Sequence, residues 1–168
     1  RFCTKVFFDF IPHRKVERLQ GDLRFQSLLP WSPHGPGAMA ALAVAMKNSP
    51  KEDWVPFAEW FVERATLPKD AVIVPAHPKR WGTKDHAWGW GWALSAATGL
   101  PLRSPLVRVH TRSQKHLGRL ARSQIRIDLG DPDWICSDYT SVILVDDIVT
   151  TGSTAKACYE AIGRPRRC

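Results

Sequence analysis

Two aspartates and a run of small hydroxyl residues stand close together late in the chain: Asp146-Asp147, then Thr150-Thr151-Gly152-Ser153-Thr154. Adjacent carboxylates at the end of an apolar run are costly unless something uses them. The vicinal hydroxyls of a ribose are good users, because each carboxylate accepts a hydrogen bond from an O–H. Gly152 lets backbone approach a ligand closely. The threonine and serine hydroxyls add donors, and a helix starting at Ser153 points its free N–H groups into the same loop, which favours an anion. One short segment therefore offers a diol site and an anion cradle at about the separation found in ribose 5-phosphate. Taken singly, TTGST is an ordinary helix start and DD an ordinary polar strand end. The specific signal is the joint order of strand, DD, two residues, TTGST and helix. The sequence holds no GxxxxGK[ST], GxGxxG, GxSxG or HExxH.

These residues need a strand before them and a helix after them. Val142-Ile143-Leu144-Val145 is apolar on consecutive positions, so Ser141–Val145 reads as a strand covered on both faces. In open α/β sheets ligands bind at the carboxyl ends of such strands. Ala155, Cys158, Tyr159 and Ile162 recur at helical spacing, which gives a helix over Ser153–Ile162. Upstream, Ala71–Pro75 (AVIVP) reads as a second buried strand and Leu106–Val109 as another. Ala38–Met46 reads as a helix stopped by Lys47-Asn48-Ser49-Pro50. Asp53 is placed to cap the next helix, with Pro56 in its first turn. Its apolar stripe is Trp54, Phe57, Ala58, Phe61, Val62 and Ala65. Trp88–Thr98 reads as a helix closed by Gly99-Leu100-Pro101. The expected class is α/β, a mostly parallel sheet flanked by helices. Residues 1–37 read as an irregular N-terminal region and 38–168 as the main part of a single compact domain.

The chain has 168 residues and a formal net charge of +8, from 24 Lys and Arg against 16 Asp and Glu. That balance suits anionic partners as well as simple solubility. Cys3, Cys136, Cys158 and Cys168 form no CxxC pair, which argues against a local zinc ribbon. Scattered cysteines read as reduced, and the expected location is cytoplasmic. No apolar run approaches the ~20 residues that span a bilayer, and no signal-peptide pattern opens the chain.

VILVDDIVTTGST resembles the phosphoribosyl diphosphate (PRPP) signature of the type I phosphoribosyltransferases. Two further segments are similar to the ComF/GntX branch of that family, the competence-associated proteins. One is Asp70–Pro75 followed by Ala76-His77-Pro78-Lys79-Arg80, similar to the branch's strand and pyrophosphate loop. The other is Thr111-Arg112-Ser113-Gln114-Lys115-His116-Leu117 with Arg119 and Arg122, similar to its flexible basic loop. Lys47 resembles a lysine placed before the second helix in that branch. The chain departs from the branch in lacking its four-cysteine ribbon and its RGxNQ stretch, where Trp81–His86 and WGWGW stand instead.

The resemblance implies a type I phosphoribosyltransferase fold and transfer of a 5-phosphoribosyl group from Mg²⁺-bound PRPP to a nitrogen acceptor, with release of pyrophosphate and a link to DNA uptake. The acceptor stays unidentified. It implies that Asp146 and Asp147 hold the ribose hydroxyls, directly or through the Mg²⁺, and that Thr150, Thr151, Gly152, Ser153 and Thr154 hold the 5′-phosphate. Ala76, His77, Lys79 and Arg80 would face the diphosphate. Arg112, Gln114, Lys115 and Arg119 would lie on a closing loop. Asp146, Asp147, Lys79 and Arg112 would be the catalytic set. Two alternatives use the same fold without turnover: a PRPP-sensing regulator, and a single-stranded DNA-binding competence protein that uses the basic 111–122 segment and the tryptophans. Trp88, Trp90 and Trp92 cannot share one helical face. They read either as core packing, as packing between copies in a homo-oligomer, or as exposed rings that stack on bases.

Overall fold

The computed structural model describes residues 17–20, 23–25, 45–47, 49–76, 85–109, 126–131, 133, 134, 139, 141–146 and 152–163. Its centre is a parallel pair of strands, β3 (Ala71–Pro75) and β6 (Ser141–Val145), aligned from Ala71 opposite Ser141 to Pro75 opposite Val145. Both are apolar on consecutive residues, so each must be covered twice, and each is. Val72, Val74, Ala76 and Val142 face one cluster with Leu106, Ile127, Cys158 and Ile162. Ile73 and Val145 face the other, with Ala58, Ala93 and Leu94. Burying each of these valine, leucine or isoleucine side chains contributes about 1.5–3 kcal/mol relative to exposure. The first cluster lies under α3 (Ser153–Ala161), the second under α1 (Val55–Val62) and α2 (His86–Thr98).

The helix α2 begins at Asp85, whose carboxylate accepts a hydrogen bond from the Trp88 N–H at 3.2 Å. It ends at Gly99, left-handed at φ 75°, whose N–H donates to the Ser95 carbonyl at 2.8 Å. The chain then returns beside β3. The Ile73 N–H donates to the Pro101 carbonyl at 2.8 Å, and the Arg103 N–H donates to the Ile73 carbonyl at 2.9 Å. Ile73 and Leu102 form a parallel bridge, so β3 has hydrogen-bonded backbone on both sides.

Strand pairing elsewhere is antiparallel. The strands β4 (Leu106–Arg108) and β5 (Ile127–Leu129) pair with each other, as do β1 (Glu17–Gln20) and β2 (Leu23–Phe25). Among the described residues the architecture is thus mixed α/β with a small parallel sheet, and two of its three strand ladders are antiparallel. The hairpin β1–β2 lies inside the segment read as irregular. Glu17-Arg18-Leu19-Gln20 is mostly polar, so it carries no apolar alternation to announce a strand.

The entry to α1 differs from the expected one. Asp53 does not cap it. A 3₁₀ turn over Lys51–Trp54 starts at Pro50, the Asp53 N–H donates to the Pro50 carbonyl at 3.1 Å, and Trp54 is already in the right-handed helical region. Pro56 sits in the first turn, where its missing N–H costs nothing. The helix stops at Val62, so Ala65 falls in the following turn, its N–H donating to the Phe61 carbonyl at 2.8 Å. Residues 45–47 are helical, consistent with a helix ending at the predicted stop. No helix among the described residues is long and apolar enough to cross a membrane.

Candidate functional site

The pairing of β3 and β6 brings the ends of two predicted binding segments together. The Ala76 N–H donates to the Val145 carbonyl at 2.6 Å, one residue past the last β3 pair. Ala76 is buried. Asp146 follows Val145 directly and is half-buried at the mouth of the sheet. Ala76 and Asp146 therefore leave the sheet side by side.

The third part is the start of α3. Gly152 takes φ 73°, ψ 4°, a left-handed conformation that costs a non-glycine residue roughly 1–2 kcal/mol. The glycine is required here by its backbone, independently of any ligand. Its carbonyl accepts the Lys156 N–H at 2.9 Å, and α3 has no side-chain cap and no acidic residue in its first turn. Ser153 and Thr154, both half-buried, occupy that turn. A helix start of this kind carries a partial positive charge of roughly half an elementary unit. It is suited to a phosphate, with two hydroxyls alongside.

Ala76, Asp146, Gly152, Ser153 and Thr154 are thus placed by β3, β6 and the start of α3. Asp147, Thr150, Thr151, His77, Lys79, Arg80, Arg112, Gln114, Lys115 and Arg119 lie outside the described residues. The basic segment 111–122 falls within the connection between β4 and β5. The ends of that connection are drawn together by the β4–β5 pairing and by the Val109 N–H donating to the Arg126 carbonyl at 3.0 Å.

The Trp-rich helix has a role that its composition alone does not disclose. Gly91 is buried against the carboxyl ends of both central strands. A Cβ there would stand 3.1 Å from Pro75 Cγ, 3.1 Å from Leu102 Cδ1 and 3.2 Å from Val145 Cγ2. The glycine lets α2 settle onto the two residues from which Ala76 and Asp146 depart. Trp90 packs on Trp54 at 5.9 Å and on Phe61 at 5.8 Å between ring centroids. Trp88 and Trp92, one helical turn apart, flank the Lys51 ammonium at 5.7 and 4.2 Å. Of the readings open for WGWGW, packing within the chain accounts for Trp90. Sequence reasoning passed over Lys51, although its spacing of four from Lys47 and the i, i+4 pair of tryptophans were visible signals.

Comparison with family models, with curated proteins and with solved structures finds no significant match to this chain in any of the three.

Proposed function

We propose that this chain binds PRPP at the carboxyl end of β3 and β6 and transfers its 5-phosphoribosyl group to a nitrogen acceptor, as a phosphoribosyltransferase-type enzyme on a type I phosphoribosyltransferase fold. One observation carries the reading. A half-buried aspartate directly after a central parallel strand stands six residues before a left-handed glycine that opens an uncapped helix. A carboxylate for ribose hydroxyls and an N–H cradle for a phosphate therefore lie within seven residues of sequence.

In this reading Asp146 and Asp147 orient the ribose. Thr150 to Thr154 and the first turn of α3 hold the 5′-phosphate. Ala76, through its loop with His77, Lys79 and Arg80, faces the diphosphate, and Arg112, Gln114, Lys115 and Arg119 close over it. Carboxylate oxygens at a strand end are hard donors, which fits Mg²⁺. Asp146 and Asp147 would hold the ion directly or through water, and when bound it neutralises charge on the diphosphate. The protein's contribution is positioning and electrostatic complementarity to the leaving group.

The test is calorimetric titration of the intact chain with PRPP in the presence and absence of Mg²⁺. The expected result is Mg²⁺-dependent binding that disappears in the Asp146→Ala/Asp147→Ala double variant while its circular dichroism stays unchanged. No heat of binding to the wild-type chain would remove the proposal. Release of pyrophosphate with a panel of nitrogen bases then separates the enzyme from a PRPP-sensing regulator.

A further inference from the structure

A cleft of about 400 Å³ opens between the lysine that ends helical residues 45–47 and the first turn of α2, a volume in the range of small-molecule sites. Its lining combines two indoles, Trp54 and Trp88, with Lys47, Lys51, His86 and Asp85. Gly89 also lines it, and its missing side chain lets the Trp54 indole lie against α2. A Cβ there would be 3.2 Å from Trp54 Nε1. Asp85 spends its carboxylate on the Trp88 N–H. Lys51 is held at the mouth by the faces of Trp88 and Trp92. Its ion pair with Glu52, 3.8 Å long, is exposed on both sides, so solvent screens it. The lining thus sets two lysines and two indoles against one carboxylate.

The cleft also has a defined place. Gly91 lies over Pro75 and Val145, at the carboxyl ends of β3 and β6. Leu94, one turn further along α2, shares a cluster with Ile73, deeper in β3, while Ala87 shares one with Ala76. The helix therefore runs back against the strands, and its first turn, residues 85–89, overhangs the sheet end from which Asp146 departs.

We propose that this cleft binds a planar ring carrying a carboxylate or a phosphate, with the ring against Trp54 and Trp88 and the anionic group at Lys47 and Lys51. Resting on the PRPP reading above, it is the seat of the acceptor, a heteroaromatic nitrogen base that carries an anionic group. The lone pair of the ring nitrogen would form the new N–C bond at the anomeric carbon. The C–O bond to pyrophosphate breaks, its electron pair leaves with pyrophosphate, and any proton on the nitrogen passes to solvent.

The test uses bicyclic probes and the intact chain, followed by calorimetry and by the indole N–H signals of a ¹⁵N-labelled sample. Naphthalene-2-carboxylate and 1-naphthyl phosphate are the two anionic arms, which tell a carboxylate site from a phosphate site. Naphthalene-2-carboxamide is the uncharged ring, and inorganic phosphate the anion without a ring. At least one anionic naphthalene binds about tenfold tighter than both the amide and inorganic phosphate, as a charge-assisted contact plus ring burial requires. The indole signals of Trp54 and Trp88 move, and that of Trp134 does not. Lys47→Met and Lys51→Met each weaken the anionic probe by roughly threefold to tenfold. Lys47 is exposed, so its variant retains the fold even if Lys51→Met disturbs the tryptophan pair. Equal affinity for acid and amide, or shifts that spare Trp54 and Trp88, overturn the proposal. Titration of the wild-type chain with PRPP beside the naphthalenes separates the two readings. If naphthalene binding persists while the wild-type chain binds no PRPP, the cleft stands and the phosphoribosyl reading falls. If PRPP binds and no naphthalene does, the cleft is refuted alone.

Discussion

Replacing Gly91 with alanine sets two effects of opposite sign against each other. In a helix interior alanine is favoured over glycine by about 1 kcal/mol. At Gly91, however, the added methyl meets three atoms at 3.1, 3.1 and 3.2 Å. One of them, Pro75 Cγ, belongs to a rigid ring on a fully buried strand, so it has nowhere to go. Overpacking of this kind costs about 1–3 kcal/mol. The net expectation is destabilisation by about 1 kcal/mol, a fall in Tm of roughly 2–4 °C for a domain of this size. Gly89→Ala is the internal control. Its methyl would meet the Trp54 indole at 3.2 and 3.3 Å, at the rim of a cleft where the ring can tilt, so its Tm should change by no more than about 1–2 °C. Differential scanning calorimetry on the two variants decides the matter. If Gly91→Ala raises Tm as an exposed helix glycine would, α2 is not seated on the strand ends, and the placement of the site beneath it is wrong.

Three further outcomes can be measured. Gly152→Ala and Gly99→Ala place a Cβ at left-handed positions of φ 73° and 75°, so each should lose about 1 kcal/mol of stability. Only Gly152→Ala should also weaken PRPP binding, which calorimetry reads directly, and equal binding losses in both would point to a global effect. Trp90→Ala removes a ring packed on Trp54 and Phe61 and should cost about 3 kcal/mol in chemical denaturation. A change under about 0.5 kcal/mol would mean that the ring is available surface, as a base-stacking role requires. Single-stranded DNA bound by the basic 111–122 segment should lose affinity steeply as salt rises, and salt-independent binding in a filter or anisotropy assay would exclude a phosphate-contact mode.

The two central strands were legible because their length and flanking residues decide against a helix. AVIVP and SVILV are short consecutive apolar runs bounded by polar and turn residues, and the structure has strands at Ala71–Pro75 and Ser141–Val145. The start of α3 was legible from Gly152-Ser153 for the same local reason. Other elements depend on partners that no local window contains. Ile127–Leu129 is three residues long and exists through its pairing with β4. The hairpin over Glu17–Phe25 likewise draws on cross-strand pairing rather than on apolar alternation. Asp53 is a sound capping residue in a place where Pro50 has already begun a 3₁₀ turn, so a neighbour three residues away overrides the local preference. The role of WGWGW could not be read from composition, because Gly91 is explained by Pro75 and Val145, distant in sequence and adjacent in space. The framework of the candidate site was legible where it depends on local backbone, at the strand that ends before Asp146 and at the left-handed turn of Gly152. The cleft of Lys47, Lys51, Trp54 and Trp88 was not, since it is assembled from three separate helical segments.

The most direct measurement is a crystal of the intact chain soaked with PRPP and Mg²⁺. The account predicts the ribose 2′- and 3′-hydroxyls within hydrogen-bonding distance of Asp146 and Asp147. It predicts the 5′-phosphate against the first-turn N–H groups of α3, next to Gly152, Ser153 and Thr154. A phosphate seated elsewhere on the basic surface, with the sheet end between Ala76 and Asp146 empty, would contradict it.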